Sequence, residues 1–129
     1  MSALRVRHLP EFHFGDDAVV AVLDDAGLDV LTAALEQAHN HGESRIEHHG
    51  HIHHFLVQAG AAGVELHDHR TQWRLDHTTL TDMIDKLAAL KNSASGHHYV
   101  DIATPTSTLV LSLNEYLDAP WLNNPIGNP

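Results

Sequence analysis

The stretch that decides the fold is FHFGDDAVVAVLDDAGLDVLTAALEQAHN, residues 12–40. Its pattern returns 52 positions later, without gaps, as VELHDHRTQWRLDHTTLTDMIDKLAALKN, residues 64–92. Six positions are identical, including the Leu-Asp pair at 23–24 and 75–76. Because the matches follow one common order of strands and helix, we predict that the chain is internally duplicated.

Each copy predicts a hairpin followed by a helix. Apolar residues alternate at 12–14 and 64–66, turn-forming residues follow, and second strands are predicted at 18–23 and 71–75. Apolar residues then recur every three or four positions, which places them on one face of a helix. They are Leu28, Leu31, Leu35 and Ala38 in the first copy and Leu80, Met83, Leu87 and Leu90 in the second.

The ends of the predicted helices carry capping residues. Asp24 or Asp25 is suited to cap the first helix. Thr79, with Asp82 three residues later, resembles a capping box at the second helix. Gly42 follows the first helix as a stop signal. These signals predict the same helix position in both copies.

A second hairpin is predicted after each helix, with an offset between the copies near 54. The first, RIEHHGHIHHFLVQ (45–58), turns at Gly50, and the second, HHYVDIATPTSTLVLSL (97–113), turns at Pro105. The repeated unit is therefore ββαββ.

We predict an α+β fold with an internally duplicated ββαββ unit, a mostly antiparallel sheet and two helices packed on one face. The eight strands form either one large sheet or two sheets related by a pseudo-twofold axis. Residues 1–129 make one domain, with pseudo-repeats at about 11–59 and 63–114. The tail, 115–129, is predicted to be extended and to pack through Trp121 and Leu122, or to reach a second subunit.

The composition narrows the range of functions. Seventeen acidic and seven basic residues give a formal charge of −10 with histidines neutral, which disfavours binding to nucleic acids or anionic membranes and favours basic partners or cations. The chain has no cysteine, so thiolate chemistry and cysteine-ligated zinc are excluded. No apolar run approaches the roughly 18 residues of a membrane span, and we expect a cytoplasmic protein.

The histidines are concentrated in one hairpin. Five of the seven residues from 48 to 54 are histidines, out of fourteen in the chain. His51 and His53 share one strand face, and cross-strand pairing with His48 would bring three imidazoles together. This set is a candidate site for a divalent transition metal such as zinc. A metal-dependent hydrolase using metal-activated water is the matching enzymatic interpretation.

The second copy argues for a different interpretation of these histidines. An offset of 54 places Ser107, Leu109 and Leu111 opposite the first-copy residues 53, 55 and 57, so the fold does not require the histidines. They are then polar residues of a solvated hairpin tip that hold no cofactor, and this interpretation is the favoured one. A third alternative is a pH-responsive oligomer, because histidine charge changes near neutrality.

The C-terminal run SGHHYVDIATPTSTLVLSLNEYL (95–117) resembles small bacterial proteins that include immunity proteins neutralising polymorphic toxins. The resemblance lies in Gly-His-His-Tyr at 96–99, the strand pair after it, and Asn-Glu-Tyr at 114–116. It implies a compact acidic domain that binds a toxin and catalyses no reaction. Our first interpretation is therefore a non-enzymatic protein-binding domain with a protein partner or a second copy of itself, as in a homodimer.

Overall fold

Eight strands and two helices form the part of the chain that the computed structural model describes, residues 3–13 and 15–123. Phe14 of the first predicted strand and residues 124–129 of the predicted tail lie outside it. Neither helix is long and apolar enough to cross a membrane. The elements are β1 (Leu4–His13), β2 (Asp16–Leu23), α1 (Asp25–His41), β3 (Glu43–His48), β4 (His51–Val57), β5 (Gly63–Leu66), β6 (Arg70–Leu75), α2 (His77–Lys91), β7 (Gly96–Asp101), β8 (Thr108–Leu113) and a short 3-10 turn, Pro120–Asn123.

The strands form two four-stranded sheets with the orders β1-β2-β8-β7 and β3-β4-β6-β5. Each hairpin is antiparallel, and the central pairs β2–β8 and β4–β6 are parallel. Each sheet therefore takes one hairpin from each copy, in the order that a pseudo-twofold axis requires. The α+β fold and the repeated ββαββ unit are confirmed, and the two-sheet arrangement is the one adopted.

The ladder registers correct the predicted offset for the last strand. Val19 pairs with Leu109, and in the other sheet Thr71 pairs with His53. Because residues 19 and 71 are 52 apart, the equivalent of His53 is Leu109, at an offset of 56. The prediction of Ser107 is wrong because the β7–β8 pairing continues to Ile102 and Ser107, which leaves a four-residue loop, 103–106. The turn between β3 and β4 has two residues, so β8 is shifted by two positions.

The first hairpin also differs from the prediction. β1 begins at Leu4, earlier than the predicted start near residue 11, and a register shift interrupts its pairing between Leu9 and His13. Arg5 pairs with Val22, and Gly63 pairs with Arg74. Since residues 22 and 74 are equivalent, Arg5 occupies in the first copy the place that Gly63 occupies in the second.

Both helices are capped by the aspartate of the repeated Leu-Asp pair. Asp24 Oδ1 accepts a hydrogen bond of 2.7 Å from Gly27 N, and Asp76 Oδ1 accepts one of 3.1 Å from Thr79 N. The predicted capping box at Thr79 is wrong, because the cap lies one turn earlier and Thr79 supplies the N–H that it satisfies. Gly42 ends α1 in the left-handed conformation, as predicted.

One large core contains the apolar faces of both helices and residues from both sheets, including Phe55, Trp73 and Leu109. α1 contacts β3 and β4, α2 contacts β7, and the helices contact each other. A second, smaller cluster lies on the other face of the first sheet. There Val20, Val22 and Val110 pack against the chain end through Leu122, which is 3% exposed. The described part of the tail thus covers its own sheet.

In the second copy, the long loop between β7 and β8 bonds to β5 and so joins the two sheets. Val64 N donates to Thr104 O at 2.9 Å, and Ala103 N donates to Ala62 O at 2.8 Å. Thr104 and Gly63 form an isolated parallel bridge. A side chain at position 63 would not fit, because its Cβ would lie 2.3 Å from Thr104 Oγ1. Glycine at this position therefore lets Thr104 pack closely on β5.

We expect Gly63→Ala to weaken the contact between this loop and β5. The added methyl group has to displace the loop, and overpacking of this kind lowers the free energy of unfolding by about 1–3 kcal/mol. Amide exchange should show lost protection of the Val64 N–H, with urea unfolding as the second measurement. Glu65→Ala, at an exposed position of the same strand, is the matched control and should change neither. Unchanged Val64 protection in Gly63→Ala would contradict the close packing.

Candidate binding cleft

A cleft of about 620 Å³ lies where β1 passes the tip of the β3–β4 hairpin; we call it the β1 cleft. β1 is an edge strand of its sheet, and the cleft lies along it, with Val22 of the neighbouring β2 also in the lining. Apolar and basic groups share its lining. The described residues that line it are Ala3, Leu4, Arg5, Val6, Arg7, Val22, Asp24, His48, His49, His51, Leu117 and Leu122.

Two arginines give the β1 cleft a positive charge. Arg5 Nη2 and Arg7 Nη2 donate to Leu122 O at 2.6 and 2.8 Å, and Arg7 Nη1 donates to Val6 O at 2.8 Å. Arg7 Nε is buried without a hydrogen-bond partner among the described residues. Burial, together with the neighbouring charge of Arg5, lowers the pKa of Arg7 from its usual value. The two cations are held by neutral carbonyls, so their charge is not neutralised by these contacts.

Asp24 supplies the one carboxylate among the described residues that line the β1 cleft. Its Oδ1 accepts hydrogen bonds from Gly27 N and, at 2.8 Å, from Ala3 N. This aspartate is therefore engaged as the cap of α1 and as the anchor of the start of β1. Two of the seven basic side chains of this acidic chain therefore line a site whose described carboxylate, Asp24, is already hydrogen-bonded. Such a site attracts anions.

Two of the cleft histidines, His48 and His51, are held mainly in the neutral form. Burial lowers the pKa of His51, the Asp68 backbone opposes this, and Arg7 and His69 lower it further. Burial also lowers the pKa of His48, aided by His49 and opposed by Asp24. His51 Nε2 lies 2.7 Å from Thr71 Oγ1. At neutral pH these two histidines therefore add little positive charge to that of the arginines.

His53 does not line the cleft but lies in the core, 1% exposed. Its ring stacks on Phe55, and its Nδ1 accepts a hydrogen bond of 3.2 Å from Trp73 Nε1. A neutral imidazole that accepts at Nδ1 carries its proton on Nε2. That buried Nε2 has no partner among the described residues. Burial, and then His51 and His48, lower the pKa of His53 to about 3.

The predicted metal ligands share a region but point to different partners. His48 pairs with His51 across the hairpin, and the rings of His51 and His53 are 4.9 Å apart. However, His51 is bonded to Thr71, and His53 is turned towards Trp73. Within residues 3–13 and 15–123, no three or more histidine or acidic side chains are placed to hold a metal ion. Metal binding by these three residues stays a prediction.

The β1 cleft occupies the place that the second copy fills with its own loop. The equivalent of the β3–β4 turn is the 103–106 segment, which bonds to β5 through Thr104. The turn at His49 and Gly50 is two residues shorter, and Arg5 stands where Gly63 admits the loop. The site therefore lies where the two copies differ.

Sequence reasoning missed Arg5 and Arg7. The cleft joins three segments that lie far apart in the chain, the start of β1, the first hairpin tip and the tail. No local pattern connects them. One signal was present, since Arg-Val-Arg at 5–7 is a pair of like charges on one strand face in an otherwise acidic chain.

Comparisons with known proteins found a similar structure but no matching family model or curated sequence. No family model matches the chain, and no curated protein matches its sequence. A crystal structure of Drosophila Suppressor of Fused is similar, with a TM-score of 0.49 and 10% sequence identity. The match covers 88% of this chain and 27% of that one, so the chain spans about a quarter of the length of that protein.

Proposed function

We propose that the chain is a non-enzymatic protein-binding domain of the cytoplasm, and that the β1 cleft receives an acidic segment of the partner. The observation that carries this proposal is the placement of Arg5 and Arg7. Both line the cleft, and both donate hydrogen bonds to neutral backbone carbonyls. Charge-assisted hydrogen bonds to a carboxylate are the interaction such arginines make best.

The composition of the cleft favours a segment that combines acidic and apolar groups. Leu117, which is 41% exposed, lines the cleft together with the arginines. A free inorganic anion would leave this apolar side chain in water, whereas a peptide can cover it and also present a carboxylate. Away from the cleft, the net charge of −10 repels acidic molecules, so the orientation of a bound segment is set by the arginines.

A peptide selection tests the proposal. Random peptides displayed at neutral pH and selected on the intact chain should become rich in Asp and Glu next to apolar residues. Arg5→Gln, at an exposed position, should weaken the selected peptides about tenfold, the equivalent of ~1.4 kcal/mol. Arg45→Gln, an exposed arginine on β3 that does not line the cleft, should leave binding unchanged. Enrichment in Lys and Arg, or none at all, would refute the proposal.

A toxin-neutralising role is the narrower form of this proposal. The C-terminal resemblance at 95–117 supports it, and the net charge of −10 favours a toxin that is basic outside the segment bound in the cleft. Co-expression with toxin domains from the same genome should restore cell growth, and Arg5→Gln should reduce that protection. A second copy of the chain is the other protein partner considered, and concentration-dependent mass measurements test it.

A second candidate function is transition-metal binding, favoured by His53 Nε2, which lacks a partner among the described residues. A zinc ion bound there by His48, His51 and His53 would require His51 to leave Thr71, and His53 to move its proton from Nε2 to Nδ1 and so lose the hydrogen bond from Trp73. Untagged protein dialysed against zinc-free buffer would then keep one equivalent of Zn²⁺, and His51→Ala and His53→Ala would each lose it. His67→Ala, on the exposed β5–β6 turn, is the matched control. Less than a tenth of an equivalent in the wild type would eliminate this candidate.

A further inference from the structure

We propose that the partner segment binds the β1 cleft as an added strand, parallel to β1, with an acidic residue opposite Arg5. This inference rests on the proposed function and specifies the partner as an extended acidic peptide. Its template is the 103–106 loop of the second copy, which occupies the equivalent place on β5.

The loop shows which backbone groups an added segment uses. Its Thr104 carbonyl accepts from Val64 N, and its Ala103 N–H donates to Ala62 O. The offset between β1 and β5 is 58, because Arg5 is equivalent to Gly63. The corresponding groups on the first copy are therefore the N–H of Val6 and the carbonyl of Leu4.

The backbone of β1 presents these groups to the cleft. Val6 pairs with Ala21 as Val64 pairs with Trp73, so the two valines have the same orientation in their ladders. The Val64 N–H points away from β6, towards the loop. The Val6 carbonyl also points to the open side, where it accepts from Arg7 Nη1. In an antiparallel ladder the N–H and C=O of one residue point the same way, so the Val6 N–H faces the cleft.

The side chains of β1 and β5 explain why β1 is suited to an acidic segment, whereas β5 binds the molecule's own 103–106 loop. The Thr104 side chain lies directly over Gly63, whose added Cβ would be 2.3 Å from Thr104 Oγ1. Arg5 has a side chain, so the residue opposite it in an added strand lies beside it at ordinary strand spacing, further away than Thr104 is from Gly63, and alternate residues of β1 place Arg7 on that face too. A carboxylate at this position meets both guanidinium groups, whereas its neighbours face Leu4 and Val6.

The positive charge of β1 occurs together with the short turn between β3 and β4. Gly63 admits a close loop, and the first copy replaces it with Arg5 and shortens the loop by two residues. Edge strands are templates for pairing with another chain, and natural proteins often cover or charge them. β1 has the charges at positions 5 and 7, with apolar Val6 between them.

The test uses the intact chain and the peptide acetyl-Thr-Val-Glu-Val-Thr-amide. Two analogues are N-methylated, one at both valines and the other at the glutamate and both threonines, so each lacks the N–H groups of one strand edge. An added strand uses one edge only. One analogue should therefore lose at least tenfold in affinity relative to the other, and hydrogen exchange of the Val6 amide should slow at least tenfold when the unmodified peptide is bound.

The outcomes separate this inference from the proposed function. Equal binding by both analogues, without protection of Val6, overturns strand addition and leaves acidic recognition standing. Stronger binding of the peptide with Lys in place of Glu overturns both proposals. Val64 is the internal reference, because its amide is already bonded to Thr104 and its exchange should not change. Arg5→Gln should weaken the unmodified peptide about tenfold and still leave the two analogues unequal.

Discussion

The protein is expected to lose on the order of 4 kcal/mol of unfolding free energy as the pH falls from 6.5 towards 3, through the buried imidazole of His53. The pKa of His53 is about 3 in the fold, against 6.5 for an ordinary histidine in the unfolded chain. At a pH between these two pKa values, the imidazole of His53 binds a proton in the unfolded state but not in the folded state. The stabilisation is complete above pH 6.5 and is lost as the pH falls.

Urea unfolding between pH 8 and pH 4, with chelator present, measures this effect. His53→Gln keeps an acceptor for Trp73 Nε1 and cannot titrate, so its stability should depend less steeply on pH below 6.5. His67→Gln removes an exposed histidine and should behave as the wild type. Carboxylates such as Asp17, whose pKa is lowered by hydrogen bonds from His8 and Thr106, add a background of acid loss common to all three proteins. Parallel pH profiles for wild type and His53→Gln would disprove the assignment.

Leu122→Ala is expected to reduce the unfolding free energy by about 3 kcal/mol. Leu122 is 3% exposed and packs with Val20, Val22 and Val110 on the outer face of the first sheet. Removing its side chain leaves a cavity over β2 and β8, on the sheet face opposite the core that contains α1 and α2. The expected loss is a large part of the stability of an ordinary small domain.

Leu117→Ala is the matched control for this substitution. Leu117 lies in the same tail and also lines the β1 cleft, but it is 41% exposed. Its truncation should cost less than about 1 kcal/mol, because little of its surface is buried. Equal losses for the two variants, measured by urea unfolding at neutral pH, would contradict the packing of the tail on the sheet.

Local patterns in the sequence were sufficient for the elements and for the duplication. The 3.6-residue spacing of leucines located both helices, and their buried faces include Leu28, Leu35, Leu80 and Leu87. The shared face of His53 and Phe55 followed from strand alternation and is buried in the structure. The helix caps were partly missed, because a Thr-Asp pair imitates a capping box and the repeated Leu-Asp pair was the stronger signal.

The residue patterns of the strands also encode which sheet faces are covered, although the sequence analysis did not predict it from them. β2 is buried along six successive residues, Ala18 to Leu23, as expected for a strand packed on both faces. β6 alternates between buried Thr71, Trp73 and Leu75 and half-exposed residues, as expected for a strand packed on one face. This difference between the copies indicates that something covers the first sheet, and the tail does so.

The sequence by itself determined the repeated ββαββ unit, the helix positions and the buried face of each helix, because these depend on residues close together in the chain. Only the tertiary structure decided that each sheet combines hairpins from both copies, that the equivalent of His53 is Leu109, and that Arg5 and Arg7 meet the first hairpin tip and Leu122. The reason is physical. Strand pairing over long separations depends on loop lengths and on which faces fit together, and a loop two residues shorter leaves the β1 cleft open.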